Sequence, residues 1–215
     1  MKSLSLSYPR SGHQWWRRVL IGGLLMATSP LILPAILLAG YIARVVRDSV
    51  AGSMVPPSFS NPFGLLVDGT RWLAVSFVYF LLPTIVAFVG IVLIEFSFTT
   101  WGIDVGIVVT GMIVVITLLA YLVASYLLVI GVVHATVTQR FTSGFDLAAI
   151  RHIGRSLHFT KQWLILLVFL LIGGLVSGML SVILLGFFLY FYLLVTGFHL
   201  VGQGYSRSLE TPTPM

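Results

Sequence analysis

Charged residues are scarce in this chain of 215 residues. Lys and Arg number 12 and Asp and Glu number 6, so that 8% of residues are charged while 58% are hydrophobic. A soluble domain carries about 25% charged residues, and a disordered chain is far less apolar than this one. The composition therefore excludes both classes and predicts an integral membrane protein.

Cysteine is absent, and the 21 glycines follow no three-residue period. The first absence excludes a disulfide-stabilised scaffold, and the second excludes a collagen-like chain. Net charge is +6, but the topology proposed below accounts for the basic residues, so no nucleic-acid partner is expected.

Four stretches of the chain are free of charged residues: 19–43, 72–94, 105–139 and 162–206. A hydrocarbon core of ~30 Å requires about 20 helical residues. The second stretch therefore fits one span, the third fits one long helix, and the fourth fits two helices. Small residues from Ser177 to Gly186 allow the turn between those two. We predict an all-α fold, a polytopic transmembrane helical bundle with four full spans and a further, broken first segment.

The first hydrophobic segment, 19–43, contains Gly22 and Gly23 and is interrupted by Pro30 and Pro34. Each proline removes a backbone donor and breaks or kinks a helix. The segment is therefore either a re-entrant helical hairpin, with the prolines at its turn, or a fifth span. The positive-inside rule favours the hairpin, because all basic residues then lie on one side. Two limbs of about 11 residues would, however, reach only about half of the bilayer.

Charge distribution predicts how the remaining chain is arranged across the cell membrane. Basic residues concentrate before residue 19 and in 44–71 and 140–161, which we place in the cytoplasm, and they are absent from 95–104, which we place outside. A cleaved signal peptide is not expected, because the apolar stretch is long and contains two prolines. The predicted organisation is a basic cytoplasmic N-terminus at 1–18, a single membrane domain at 19–206 with segments 19–43, 72–94, 105–134, 162–180 and 183–204, an amphipathic connector at 141–160, and a disordered tail at 207–215.

Residues for catalysis or metal binding do not form a recognisable pattern. Each of the six acidic residues lies in a loop or at a predicted helix end: Asp48, Asp68, Glu95, Asp104, Asp146 and Glu210. The sequence has no zinc-protease motif, phosphate-binding loop or nucleophile elbow. We therefore expect no enzymatic activity, no cofactor and no metal.

Two polar residues are candidates for a specific role. His199 lies within an apolar run, where it could relay protons or bind a ligand, but a hydrogen bond to a neighbouring helix is the expected role. Asp68 precedes the span at 72–94, where its carboxylate suits an N-cap. A binding role is the alternative for Asp68.

Glycines at a spacing of four residues indicate close helix packing. Gly174 and Gly178 form such a pair in the last hairpin, and we expect its two limbs to touch there. A face for homodimerisation is the alternative use of such a pair.

The connector 141–160 is amphipathic. Its apolar residues recur every four positions: Phe145, Ala149, Ile153 and Leu157. Ser143 is the predicted N-cap, with Asp146 at the third helical position. Arg151 and Arg155 lie on the opposite face, where anionic head groups of the inner leaflet would attract them. The alternative is a plain connection between spans.

An ordered series of short motifs resembles a known family. In chain order the motifs are Tyr8-Pro9, Ile21-Gly22-Gly23-Leu24-Leu25, Leu33-Pro34, Gly40-Tyr41-Ile42-Ala43-Arg44-Val45-Val46-Arg47, Pro56-Pro57, Asn61-Pro62-Phe63, Leu66-Val67-Asp68-Gly69, Tyr79-Phe80-Leu81-Leu82-Pro83 and His199-Leu200-Val201-Gly202-Gln203-Gly204-Tyr205. The series is similar to the uncharacterised archaeal and bacterial membrane family called domain of unknown function 4013. This resemblance implies a single membrane domain and no particular activity.

These observations favour a non-enzymatic scaffold or interaction partner. Its partners would be the lipid bilayer and either a second copy of the chain or another membrane protein. The alternative is a small transporter or channel whose site is the broken segment from Gly22 to Pro34. Few polar residues fall within the spans, and no charged residue accompanies them, which disfavours a transport pathway.

Overall fold

The computed structural model describes residues 6–210. Within them the chain forms seven α-helices and no strand. The helices are α1 (Trp15–Ala27), α2 (Ile32–Val50), α3 (Pro62–Trp101), α4 (Ile103–Thr138), α5 (Leu147–Gly154), α6 (Leu157–Leu180) and α7 (Leu185–Glu210). The predicted all-α bundle is confirmed.

Four helices are long and apolar enough to cross a membrane: α3, α4, α6 and α7. This confirms the number of full spans predicted from the charge gaps. With 40 and 36 residues, α3 and α4 are longer than the predicted segments 72–94 and 105–134. At ~1.5 Å per residue each exceeds ~50 Å, so both helices continue beyond a hydrocarbon core of ~30 Å.

The start of α3 differs from the prediction. Asn61 is the N-cap, and its side chain accepts a hydrogen bond from the Gly64 N–H at 3.1 Å. Pro62 follows at the first helical position, where its missing N–H costs nothing. The predicted capping role of Asp68 is therefore wrong, because Asp68 lies within the helix rather than at its end.

The first hydrophobic segment forms two helices with a tight turn between them. Pro30 lies in this turn, while Pro34 is the third residue of α2, where no intrahelical donor is needed. With 19 residues, α2 measures about 28 Å, so the expected limbs of about 11 residues were too short. The tip residues Leu31, Ile32 and Leu33 are all exposed, and neither limb is among the four candidate spans.

Helix α2 lies at the centre of the bundle and packs against α1, α3, α4 and α7. It crosses α3 at two glycines, with almost no space between the backbones. A Cβ atom at Gly40 would lie 1.9 Å from the Leu65 carbonyl oxygen, and one at Gly69 would lie 1.9 Å from that of Ile36. The largest core cluster then joins α2 to α4, α5, α6 and α7: Val46, Val129, Ile130, Val133, Ile153, Phe159, Trp163, Leu166, Val201 and Tyr205.

Helices α6 and α7 form the predicted hairpin, and its turn falls at Ser181–Leu184. The predicted contact between the limbs is wrong for Gly178, and at Gly174 it is an ordinary van der Waals contact rather than a close one. A Cβ at Gly178 would meet nothing within 4 Å, and one at Gly174 would be 3.5 Å from the Tyr190 ring. The close contacts are at Gly186, where a Cβ would be 1.9 Å from the Ser177 carbonyl oxygen, and at Gly173, where a Cβ would be 2.4 Å from Leu193 Cδ1.

The connector is not one helix over 141–160. A 3₁₀ turn is followed by the eight-residue α5, and α6 begins at Leu157. Asp146, rather than Ser143, is the N-cap of α5 and accepts hydrogen bonds from the Ala148 and Ala149 N–H groups. The helix is therefore shorter than expected, because the chain turns at Arg155 and Ser156 to enter α6.

Both chain ends differ in part from the prediction. The last four residues of α7, 207–210, are helical rather than part of a disordered tail. The rest of that tail, 211–215, and residues 1–5 of the basic N-terminus lie outside the described residues. Trp15 to Arg18 belong to α1 rather than to an N-terminal extension.

Candidate functional site

Two clusters of polar side chains lie on opposite sides of α2. We call the first the His199 cluster (Tyr8, Ser49, His199 and Gln203) and the second the arginine cluster (Arg44, Arg47, Asp68 and Arg71). Both clusters take residues from α2: Ser49 faces α7 while Arg47, two positions earlier and therefore on the opposite face of the helix, faces α3.

The His199 cluster is buried between α2 and α7. His199 is 0% exposed, and its Nδ1 lies 2.7 Å from Ser49 Oγ. Its Nε2 lies 2.9 Å from Nε2 of Gln203, one turn further along α7. The structure thus places His199 in a hydrogen bond to a neighbouring helix.

The hydrogen bonds of the His199 cluster are satisfied by one arrangement of protons. Gln203 Nε2 donates to His199 Nε2, which leaves the proton of the ring on Nδ1. Nδ1–H then donates to Ser49 Oγ, and Ser49 donates its own proton to the Val45 carbonyl at 2.6 Å. A nucleophilic serine would instead donate to the histidine, so this arrangement holds helices together and does not activate Ser49.

Tyr8 covers the other face of His199. The two rings are stacked with centroids 3.6 Å apart at an interplanar angle of 9°. Burial raises the pKa of Tyr8 to about 12, against a smaller lowering by the Ser49 hydroxyl. No hydrogen bond of good geometry reaches the buried Tyr8 hydroxyl among the residues 6–210. The N-terminal segment is thereby fastened to α7 by ring stacking.

Sequence reasoning identified His199 but not its partners. Ser49 is 150 residues away in the chain, and Tyr8 lies in a segment that the hydropathy pattern left outside the membrane domain. Nothing in the local sequence connects the three residues. Only the antiparallel return of the chain through α1 and α2 brings them together.

The arginine cluster lies where α2 crosses α3. Asp68 Oδ1 accepts a hydrogen bond from Arg47 Nη2 at 3.0 Å and lies 3.7 Å from Arg71 Nη1. Asp68 Oδ2 lies 3.9 Å from Arg44 Nε. The Asp68 side chain is 14% exposed, so a single, largely buried carboxylate faces three guanidinium groups.

Asp48 lies on α2 beside this cluster. Burial raises its pKa, while the charges of Arg47 and Arg44 lower it by a smaller amount. No ion pair to Asp48 occurs within the described part of the chain. The cluster therefore carries more positive than negative charge, whether or not Asp48 is ionised.

A cavity of about 390 Å³ lies where the α1–α2 turn meets the α6–α7 turn. Its lining includes Ser29 from the first turn and Ser177 and Ser181 from the second hairpin. The Ser177 Oγ is buried and has no hydrogen-bond partner in the described region. Gly174 and Gly178, predicted to lie at a helix contact, both line this cavity.

The remaining candidate residues are two glycines in α1, two prolines near the α1–α2 turn and two exposed arginines. A Cβ at Gly22 would lie 2.1 Å from the Phe191 ring, and one at Gly23 would lie 2.1 Å from the Phe188 ring, so these glycines let α1 approach α7. Pro30 and Pro34 are at the turn and the start of α2, as described above. Arg151 and Arg155, the candidates for lipid-surface contact, are both exposed.

Among residues 6–209, no three or more His, Cys, Asp or Glu side chains converge. The acidic residues are instead dispersed along the bundle, with Asp68 surrounded by arginines and Asp146 at a helix start.

Comparison with known proteins gives one match. No curated protein and no solved structure matches the chain. A family model described as "Protein of unknown function (DUF4013)" matches residues 23–186, which leaves the Tyr8-Pro9 and His199 motifs outside the match. That range contains helices α2 to α6, the arginine cluster and three of the four candidate spans in full. The chain is thus a multi-pass membrane protein and a member of the DUF4013 family.

Proposed function

We propose that this protein is a non-enzymatic scaffold or interaction partner in the cell membrane. The observation that supports this best is the use of its polar side chains, which join one element to another. Tyr79 donates to the Gly144 carbonyl at 2.6 Å, and Tyr126 donates to that of Gly154 at 2.8 Å. His134 and Tyr205 similarly connect α4 to α7 at 2.7 Å.

The surface for a partner is the half of the α3–α4 hairpin furthest from α2. Beyond the Thr84–Tyr121 hydrogen bond this half is formed by exposed apolar side chains such as Phe88 and Leu118. A second copy of the chain or another membrane protein would cover these residues and leave the central bundle unchanged.

Cysteine cross-linking tests this proposal, because the chain has no cysteine of its own. Leu118→Cys on α4 should form a disulfide-linked dimer, or a cross-link to one defined membrane protein, in native membranes. Leu175→Cys on α6 is the matched control, since Leu175 is also an exposed leucine. Absence of any cross-link from Leu118→Cys, or equal cross-linking from both positions, would contradict the proposed surface.

The same proposal assigns no nucleophile to the Ser49–His199 pair. A serine-reactive fluorophosphonate should therefore leave Ser49 unmodified in the folded protein. Modification that is lost in Ser49→Ala would show an activated serine and would favour an enzyme.

Orientation follows from the basic residues, which we propose to face the cytoplasm. Thr99→Cys should react with a membrane-impermeant thiol reagent in intact cells, whereas Met54→Cys should be protected. Protection of Thr99→Cys together with reaction of Met54→Cys would show that the orientation is opposite to the one proposed.

Contact of α5 with anionic head groups is part of this proposal. The exposed Leu147 and Leu157 flank the exposed Arg151 and Arg155, a combination typical of a helix on an anionic bilayer surface. An environment-sensitive dye on Leu147→Cys should shift to the blue in phosphatidylglycerol vesicles more than in phosphatidylcholine vesicles. Arg151→Gln with Arg155→Gln should remove the difference, and an unchanged difference would argue for a plain connector.

A small transporter or channel is the second candidate function, and the 390 Å³ cavity favours it. The cavity adjoins the break between α1 and α2, and it contains the Ser177 hydroxyl that has no partner among the described residues. If an aqueous pathway reaches this cavity, Ser177→Cys should react with a water-soluble thiol reagent. Protection of Ser177→Cys would support the scaffold.

A further inference from the structure

We propose that the arginine cluster binds the phosphate group of an anionic membrane lipid. Arg71 and Arg47 would contact the phosphate, and Arg44 would hold the neighbouring loop in position. The site is separate from the lipid-facing surface of α5 and does not depend on the scaffold function.

Excess positive charge is the first reason for this assignment. Arg44, Arg47 and Arg71 face one carboxylate, and even with Asp48 ionised the arginines outnumber the carboxylates by one. Partly buried charges need a counter-charge, since desolvation penalises an unpaired ion. A phosphate group supplies this charge and accepts paired hydrogen bonds from guanidinium groups.

Free hydrogen-bond donors are the second reason. The two terminal nitrogens of Arg44 donate to the Ser60 and Asn61 carbonyls, so Arg44 is already committed. Arg47 bonds Asp68 through Nη2, while its Nη1 makes no hydrogen bond within the described chain. The 3.7 Å separation between Arg71 Nη1 and Asp68 is too long for a hydrogen bond. Donors of Arg47 and Arg71 are therefore available to a ligand.

Position along α3 favours a lipid over a soluble phosphate. Arg71 immediately precedes the charge-free stretch 72–94 and therefore lies near a membrane interface. Val78, seven residues further along, is on the same face of the helix and is exposed. At ~1.5 Å per residue it lies about 10 Å from Arg71 along the axis, in the direction of the hydrocarbon. A lipid bound at Arg71 could place an acyl chain against this face.

Lipid binding to the full chain in detergent tests the site, with native mass spectrometry as the measurement. The probes are phosphatidylglycerol, phosphatidylcholine and inorganic phosphate. Phosphatidylglycerol should bind more tightly than phosphatidylcholine, and Arg71→Gln should weaken it about fivefold, the effect of removing one cation near a phosphate. Arg140→Gln is the control, because Arg140 is exposed outside the cluster and its loss should leave binding unchanged.

Asp68→Asn gives a result that misfolding cannot imitate. Removal of the competing carboxylate frees the arginines, so phosphatidylglycerol should bind about fivefold more tightly. If inorganic phosphate competes fully with phosphatidylglycerol at equal concentration, the cluster binds a soluble phosphate and the assignment to a lipid is overturned. Unchanged or weaker binding in Asp68→Asn, or equal losses in Arg71→Gln and Arg140→Gln, would overturn the proposal.

Discussion

Replacement of Gly69 by alanine should destabilise the protein, although alanine is the better helix former. The new Cβ would lie 1.9 Å from the carbonyl oxygen of Ile36 on α2. An ordinary contact between carbon and carbonyl oxygen is ~3.3 Å, so α2 and α3 would have to separate by about 1.4 Å. Gly40, on the other side of the same crossing, leaves equally little space, and both backbones would therefore have to move.

The expected free-energy change is the difference between two effects. Overpacking at a tight contact costs up to ~3 kcal/mol, while alanine gains ~1 kcal/mol over glycine in a helix interior. The net loss in the free energy of unfolding is about 2 kcal/mol, which lowers Tm by about 4–8 °C for a chain of this size. Thermal unfolding of the protein in detergent measures this change.

Gly111→Ala is the matched control for Gly69→Ala. A Cβ at Gly111 on α4 would meet nothing within 4 Å. Only the gain in helix propensity then applies, and Tm should stay constant or rise by about 2–4 °C. If Gly69→Ala is as stable as Gly111→Ala, the close crossing of α2 and α3 is not what holds these helices together.

Three further changes test other parts of the structure. Leu166→Ala should lower the free energy of unfolding by ~2–5 kcal/mol, because Leu166 is 1% exposed. Leu171→Ala, at an exposed position of the same helix, should have little effect in the same denaturation assay. Asp146→Ala should cost ~1 kcal/mol through loss of the α5 N-cap, and an equal loss in Ser143→Ala would contradict this capping assignment. Burial raises the pKa of Tyr8 to about 12 from an ordinary value of 10, so the stability that Tyr8 contributes should be complete below pH 10 and be lost between pH 10 and 12, because the unfolded chain ionises first. Tyr8→Phe should therefore flatten the pH dependence of Tm in this range. An unchanged slope would show that another group titrates there.

Prediction from the sequence succeeded where the signal is local. The charge gaps identified four spans because the cost of placing a charge in hydrocarbon depends on each residue by itself. The turn near Ser181 and the break at Pro30 were found for a similar reason, since proline and clustered small residues act on their own backbone. Asn61 at the start of α3 could have been found in the same way, because Asn-Pro is an ordinary signal for a helix start.

Prediction failed where rotation about a helix axis decides the contact. Gly173 and Gly174 are adjacent in the chain, yet successive helical residues point about 100° apart, so Gly173 packs tightly against Leu193 of α7 while Gly174 makes only an ordinary contact with Tyr190. The composition does not show which glycine makes the closer contact, because both lie in an apolar helix whose faces are nearly equal in hydropathy. The prediction of one amphipathic helix over 141–160 failed for a different reason: its apolar residues recur every four positions, and this spacing continues across the turn between α5 and α6.

The sequence by itself determined the class of the protein, the number of its spans and its family, because these depend on hydropathy and on ordered local motifs. Only the tertiary structure decided which polar groups meet. The neighbours of Asp68 in the chain suggested a helix end, which was wrong, and its three arginine partners come from two helices that cross. His199 and Ser49 come into contact only after the intervening chain has folded around α2. Such contacts join residues far apart in sequence, and the geometry that brings them together is a property of the whole bundle.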